Sequence, residues 1–278
     1  MTSSWSRQVR TDSIPVVAEY SREDLLTMLR SADPAERDEV ACLAMVDRIG
    51  TGAEDGDLVA LGDEMALRLK DPEIQVRTFA ALILAEVVER DMTSGGATAE
   101  AVLRWRDAFA AWYPAERDLR GWDERLGWLH AVAHGADALA VFGRSPRLGR
   151  GDLRGLLGTG RERMLAETGY VFRDQEEDRL AYALALVLSR AELDEGDSVG
   201  WLAPVADTFA AGEPGPVPAS ATNAMRTLRM LYLHCDRGFL FPEAKRGDTP
   251  AVVTRVAHSE ALKQALADVL RLTWPYLG

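Results

Sequence analysis

The sequence predicts an all-α protein built from HEAT-like helical hairpins, an α-α superhelix with about ten to twelve helices in a single domain. Three observations predict it. Apolar residues recur at helical spacing along almost all of the 278-residue chain, and strand-like alternation is absent. The dipeptide Asp-Pro opens two similar segments 38 residues apart, from Asp33 to Asp71. That spacing is close to the roughly 40-residue period of HEAT-type repeats, so the repeats are clearest at 33–90.

Capping residues mark the first elements. Residues 1–20 are expected to form an N-terminal arm, and Ser21 is predicted to cap the first helix of a domain that runs over 21–278. Asp33-Pro34 and Asp71-Pro72 each open a helix with proline at its first position. The first of these is expected to end at Gly50 and the second near Ser94. Further helices are predicted near 58–69, 99–112, 122–142, 152–168, 175–190, 197–211, 220–240 and 250–274.

Charge and composition narrow the class of protein. The net charge of −12 disfavours nucleic acid as a partner, because duplex binding depends on Lys and Arg, and makes a DNA-repair glycosylase a remote alternative. The chain begins without an apolar signal-peptide stretch, and no apolar run is long enough to span a membrane. Cys42 and Cys235 form neither a CxxC pair nor a disulfide framework. We therefore expect a cytoplasmic protein, and the skew towards Ala, Arg and Gly suggests a bacterial one.

The most informative segment is 127–137, which reads Gly-Trp-Leu-His-Ala-Val-Ala-His-Gly-Ala-Asp. On the predicted signature helix 122–142, His130, His134 and Asp137 would lie within about 60° of one another. This helix is apolar nearly all round, which is typical of a buried helix. Three titratable groups on a buried helix must be satisfied by partners or must act on a ligand. Gly135 lies inside the same helix, where its cost in stability indicates a kink or the close approach of another group.

Three interpretations of His130, His134 and Asp137 stay open. In the first they are an acid-base site, because imidazole titrates near neutral pH and a carboxylate can fix its tautomer. In the second the histidines bind a metal, with a third ligand from Asp118, Asp174, Glu176 or Glu177. We do not favour the metal, because no His-Glu-x-x-His pattern is present. In the third they are structural, and Asp137 pairs with Arg120, Arg179 or Arg226.

Other residues, some next to this segment and some further along the chain, are candidates for binding a substrate. Each also has an ordinary structural interpretation: the aromatic residues as core, the acidic residues as helix caps and the arginines as solvated surface. The functional interpretation places them around one aromatic-lined cavity. The candidate substrate-binding residues are Trp128, Asp118, Arg120, Trp122, Glu177 and Arg226.

The segments 118–122, 127–137, 171–181 and 223–232 resemble the signature of a bacterial family, the domain-of-unknown-function family 2785. The resemblance extends over residues 60–245. It departs at the first sixty residues, at 211–219, and at Trp122, where tyrosine is more usual. Because no activity is established for the family, the resemblance implies a helical architecture and the location of a site, and not a reaction.

Together these observations predict a small-molecule-binding helical protein of bacterial metabolism. Its His-His-Asp site could serve an enzyme for proton transfer or hydrolysis. The alternative is a HEAT-like protein–protein interaction scaffold with a purely structural polar core. The expected partner is a small-molecule ligand rather than nucleic acid or membrane. No cofactor is expected, and a homodimer is compatible with the sequence.

Overall fold

The computed structural model of the chain describes residues 20–213, 215–240 and 252–277. The predicted arm, residues 1–20, therefore lies outside the described part except for its last residue. The described residues are mostly helical, which confirms the all-α class. None of the helices described is long and apolar enough to cross a membrane.

The helices and strands follow one another in this order. The helices are α1 Arg22–Met28, α2 Leu43–Thr51, α3 Leu58–Arg68, α4 Ile74–Ser94, α5 Ala99–Trp112, α6 Ala131–Arg144, α7 Arg150–Leu165, α8 Glu176–Leu188, α9 Glu195–Gly200, α10 Ala203–Ala210, α11 Ala219–Arg237 and α12 Ser259–Arg271. A π-helical segment, Ala35–Cys42, leads into α2, and a short 3-10 turn, Asp55–Asp57, precedes α3. Two antiparallel hairpins pair β1 Trp122–Asp123 with β2 Gly127–Trp128, and β3 Phe239–Leu240 with β4 Val253–Thr254.

The central helices pack in a row. Helix α3 packs on α4, α4 on α6, α6 on α8, α8 on α11, and α11 on α12. One continuous hydrophobic core runs along this row, from Leu25 in α1 to Leu270 in α12. The row places the starts of α6 and α8, together with the loops that precede them, beside each other.

The two Asp-Pro pairs form the same local turn, but only Pro34 is the first helical residue of its segment, as predicted, whereas Pro72 lies two residues before its helix. The Asp33 carboxylate accepts a hydrogen bond from the backbone N–H of Ala35, and Asp71 accepts one from Glu73, both at 3.0 Å. The first helical segment therefore begins at Pro34 and becomes π-helical from Ala35, while the second begins at Ile74. The predicted cap of the first helix is confirmed, because the Ser21 hydroxyl accepts from the backbone N–H of Asp24 at 3.1 Å.

The predicted helix 122–142 is wrong in its first nine residues. Residues 122–128 form the β1–β2 hairpin, and the helix begins only at Ala131. The Asp123 carboxylate accepts from the backbone N–H groups of Arg125 and Leu126, which closes the turn, and Gly127 adopts φ +70°. A left-handed residue at this point cannot belong to an α-helix. Elsewhere, the predicted helix 197–211 divides into α9 and α10, and the predicted helix 250–274 begins at Ser259.

Candidate functional site

Arg37 fixes the β1–β2 hairpin on the rest of the fold. Its side chain is fully buried, and its guanidinium donates to the backbone carbonyls of Leu126 at 2.6 Å and Ser31 at 3.1 Å. The guanidinium also lies 4.8 Å from the centre of the Phe79 ring, a favourable cation–π distance. The loop that precedes α6 is therefore held from the other side by the segment that precedes α2.

His134 lies in the first turn of α6 and is held by Thr78 of α4. The Thr78 hydroxyl gives its single proton to the backbone carbonyl of Leu129, so it can only accept from Nδ1 of His134, 3.0 Å away. The backbone carbonyl of Thr78, at 3.3 Å, is a second acceptor for the same nitrogen. These contacts assign the proton of the neutral imidazole to Nδ1 and leave the lone pair on Nε2.

His130 is the residue just before α6, and not part of it. Its backbone is left-handed, with φ +51° and ψ +32°, and this turns its ring onto Trp128, parallel and 4.4 Å away. The ring centres of His130 and His134 are 5.5 Å apart. Sequence reasoning grouped the two histidines correctly, but the proximity comes from a turn and not from one helix face.

The solvent access of the four ring nitrogens differs. Among them, only Nδ1 of His130 is both sealed from solvent and without a hydrogen-bond partner in the described part of the chain. No hydrogen bond to Nε2 of either histidine is found among the described residues, so each Nε2 must keep some access to solvent. Both residues are 7% exposed. Two imidazole nitrogens are thus available at the edge of a largely buried cluster.

Burial keeps both imidazoles neutral. It lowers the pKa of His130 to about 4, and the positive charge of Arg179 acts in the same direction. Burial also lowers the pKa of His134 well below its ordinary value, and repulsion from His130 and Arg179 adds to this. At neutral pH the pair therefore offers hydrogen-bonding groups without charge.

We expect His130 to make folding sensitive to mild acid. Since its pKa is 6.5 when unfolded and about 4 when folded, the unfolded chain binds the proton first. Stability from this residue is complete above pH 6.5 and falls as the pH drops towards 4, by about 3 kcal/mol in total. Urea unfolding of the native protein and of His130→Asn at pH 7.0, 6.0 and 5.0 measures this. Asparagine tolerates the left-handed backbone.

The expected result is a smaller loss of stability between pH 7.0 and 5.0 in His130→Asn than in the native protein. His258→Asn, remote from the cluster, keeps the His130 imidazole and should therefore lose more stability over this pH range than His130→Asn does. Equal slopes in all three proteins would contradict the burial of the His130 imidazole.

Asp137 is engaged by Arg179 of α8. Both carboxylate oxygens accept from this guanidinium, the Nε contact measuring 3.2 Å. Of the three arginines considered as partners for Asp137, the structure selects Arg179. No group of three or more His, Cys, Asp or Glu side chains arranged to hold a metal ion is found among the described residues.

The loop before α8 mirrors the turn before α6. Gln175 is also left-handed, with φ +64°, and His130 and Gln175 are the non-glycine residues with positive φ in the described chain. The buried Glu176 accepts from the backbone N–H groups of Arg173 and Asp174, at 3.0 and 2.7 Å. Burial raises the pKa of Glu176, and one of its oxygens is sealed without a partner among the described residues.

The two loops touch at Gly121. A Cβ atom added there would lie 2.1 Å from the Asp174 carboxylate, and the Tyr170 hydroxyl lies 3.3 Å from the Gly121 nitrogen. The backbone carbonyl of Gly121 in turn accepts from the backbone N–H of Leu129 at 2.8 Å. Two strained loops at the heads of two packed helices therefore form one structural unit, a combination that is common at functional sites.

The remaining candidate residues lie at the periphery of this unit. Trp122 is 52% exposed and packs edge-on against Trp128, 4.9 Å between ring centres. The charged candidates form ion pairs with one another or with Asp123, near the surface. Arg120 binds Asp118 and Asp123, and Arg226 lies 3.5 Å from Glu177.

The comparison with known protein families agrees with the sequence signature. The model of the family described as Protein of unknown function (DUF2785) matches residues 66–233, more than half of the chain. The chain belongs to this family. No curated protein matches the chain significantly, and neither does any solved structure.

Every candidate site residue named above from the sequence lies within the DUF2785 segment, whereas Arg37 lies outside it. Sequence reasoning missed Arg37 and Thr78. Thr78 directly follows Arg77 in the polar start of its helix, so nothing in the sequence marked it as a buried hydrogen-bonding residue. Arg37 gave no signal, because in the sequence it belongs to an ordinary charged stretch.

Gly135 is explained by an aromatic side chain. The ring of the fully buried Tyr113 lies over it, 2.1 Å from where a Cβ atom would be. The Tyr113 hydroxyl donates to the backbone carbonyl of Val132 at 2.7 Å, on the same helix. In this DUF2785 protein, helix α6 therefore packs closely on the end of α5, through Gly135 and Tyr113, next to His134.

Proposed function

We propose that the heads of α6 and α8, with the β1–β2 hairpin, bind a small molecule. The observation that carries this proposal is the fixed tautomer of His134. Thr78 holds its Nδ1 proton, so Nε2 offers a lone pair at the accessible edge of the cluster. A ligand that meets this atom must bring a hydrogen-bond donor, such as a hydroxyl or an amide N–H.

The exposed ring of Trp122 supports the same location. This ring is half exposed and packs on Trp128, which stacks on His130, so it offers an apolar aromatic surface beside the cluster. Two cavities in the described part of the chain, of about 490 and 420 Å³, are lined by other residues. A ligand at the histidines would therefore lie on the surface of Trp122 rather than in a deep cavity. Planar ligands with one donor group suit this arrangement best.

The proposal is that this site binds a ligand, and catalysis is not part of it. A general base works best when its pKa is near the working pH, and the pKa of His130 is about 4 in the ligand-free protein. Proton transfer or hydrolysis at these histidines would need a bound substrate that raises the imidazole pKa. Asp137, held by Arg179, acts in this scheme on the electrostatics and not as a direct partner of either histidine.

The test uses simple planar probes. We would titrate phenol, indole and benzamide into ¹⁵N-histidine-labelled protein and follow the Nε2 resonance of His134 by NMR. The expected result is a saturable shift for at least one probe. Trp122→Ala should weaken binding of that probe about fivefold, because the lost aromatic contact is worth about 1 kcal/mol.

His258→Asn serves as the control and should leave the titration unchanged. The proposal would be overturned if the folded protein showed no saturable shift at His134 with any of the three probes. It would also be overturned if Trp122→Ala bound them as tightly as the native protein.

The second candidate is a HEAT-like interaction scaffold, and the consecutive packing of α3, α4, α6, α8, α11 and α12 favours it. In that case the hydrogen bonds of His134 and the Asp137–Arg179 ion pair only stabilise the core. The two proposals differ in one result, because a scaffold predicts no probe binding at His134. A cytoplasmic location and a bacterial origin are part of both proposals.

A further inference from the structure

A second concave surface lies along α5, away from the histidines. It encloses about 420 Å³, which is within the usual range for small-molecule sites. Its floor is apolar and consists of Leu69, Trp112 and three alanines of or just after α5, Ala108, Ala111 and Ala115. Because the alanine side chains are short, the groove stays open above them.

Two cations on the rim of this groove have no carboxylate partner among the residues that the structure describes. Lys70 and Arg117 both line the groove and are exposed, and neither makes an ion pair with any described residue. Within the described residues, the Arg117 side chain donates to the backbone carbonyl of Glu167 alone, at 3.3 Å. Most arginines of the described chain are paired with Asp or Glu, so these two cations belong to a minority that is open to an added anion.

The one carboxylate of the groove is already occupied. Glu116 is buried and accepts from Arg77 at 2.6 and 3.0 Å and from the indole of Trp112 at 2.9 Å. It also accepts from the backbone N–H groups of Arg117 and Asp118, both at 2.9 Å. With both oxygens saturated, Glu116 does not neutralise Lys70 or the Arg117 side chain.

We propose that this groove binds a small amphipathic carboxylate. The apolar body of such a ligand would lie on Trp112 and the alanines, where it is removed from water. Its anionic head would lie between Lys70 and Arg117, and a guanidinium binds carboxylate oxygens well. The proposal is independent of the histidine site, since it uses none of the same side chains.

Sodium octanoate is a suitable probe, with octanol as its uncharged counterpart. The indole N–H of Trp112 reports locally, because it belongs to the groove and is bonded to Glu116. Its ¹⁵N NMR peak is assigned from the spectrum of Trp112→Phe. We expect octanoate to shift this peak saturably, and octanol to bind about tenfold more weakly because it cannot use the two cations.

Variants of the groove test separately how the anionic head and the apolar body of the ligand are bound. Lys70→Gln and Arg117→Gln should each weaken octanoate binding about threefold. Ala111→Leu should abolish it by filling the groove, and as an exposed helix position it should leave the fold intact. Arg125→Gln and Ala99→Leu are matched controls, exposed and outside the groove, and should change nothing.

The proposal is overturned if octanol binds as tightly as octanoate, since the cations would then have no role. It is equally overturned if the Trp112 peak does not saturate, or if Ala111→Leu binds octanoate like the native protein.

Discussion

Replacement of Arg37 by methionine is expected to lower the free energy of unfolding by about 3 to 5 kcal/mol. Methionine fills a similar volume but provides no donors. The carbonyls of Leu126 and Ser31 would remain buried without partners. The carboxylate of the buried Asp38, 2.7 Å from the Arg37 Nε, would lose its counter-ion as well.

Urea unfolding followed by circular dichroism measures this effect at pH 7. Arg125→Met is the matched control, because Arg125 is exposed on the turn of the same hairpin, and it should change stability by less than about 0.5 kcal/mol. A loss of under about 1 kcal/mol in Arg37→Met would show that the hairpin does not depend on this guanidinium.

Replacement of Gly135 by alanine is expected to cost about 3 kcal/mol, at the upper end of the effects of overpacking. The new methyl group would overlap the ring of Tyr113, which would come within 2.1 Å of it. The ring cannot retreat easily, since its hydroxyl is bonded to Val132 and its face stacks on Phe109, 5.3 Å away. Either α5 or α6 must therefore shift.

Gly155→Ala in α7 gives the opposite expectation. No atom lies within 4 Å of a Cβ added at Gly155, so alanine should stabilise this helix by about 1 kcal/mol. Thermal unfolding of both variants beside the native protein compares them directly. If Gly135→Ala were as stable as Gly155→Ala, the close packing of Tyr113 on α6 would be refuted.

Helical periodicity and caps predicted most of the fold. Ser21 and the apolar spacing of 99–112 identified their helices closely, because both signals are local. The hairpin at 122–128 was missed, since Trp122, Leu126 and Leu129 also fit a helical repeat. Gly121 and Gly127 were the residues in the sequence that argued against a helix here. Gly121 approaches Asp174 closely in the structure, and Gly127 has a left-handed backbone.

The candidate site was only partly predictable for a different reason. The signature gave His130 and His134, which the structure brings to 5.5 Å, and Trp122 and Trp128, which lie beside them. The hydrogen bond that fixes His134 comes from Thr78, 56 residues earlier. Contacts between residues so far apart depend on how helices pack, and a single sequence carries no local trace of that packing.

Because Arg37 supports the hairpin, the part of the chain that can fold on its own must include the segment before residue 66. Residues 66–233 carry the whole family signature, yet the guanidinium that satisfies the Leu126 carbonyl belongs to the chain before them. A proteolytic fragment beginning at residue 66 would retain both imidazoles and still lose the anchor of the loop that presents them. The segment by which the family is recognised is therefore shorter than the segment that must fold cooperatively.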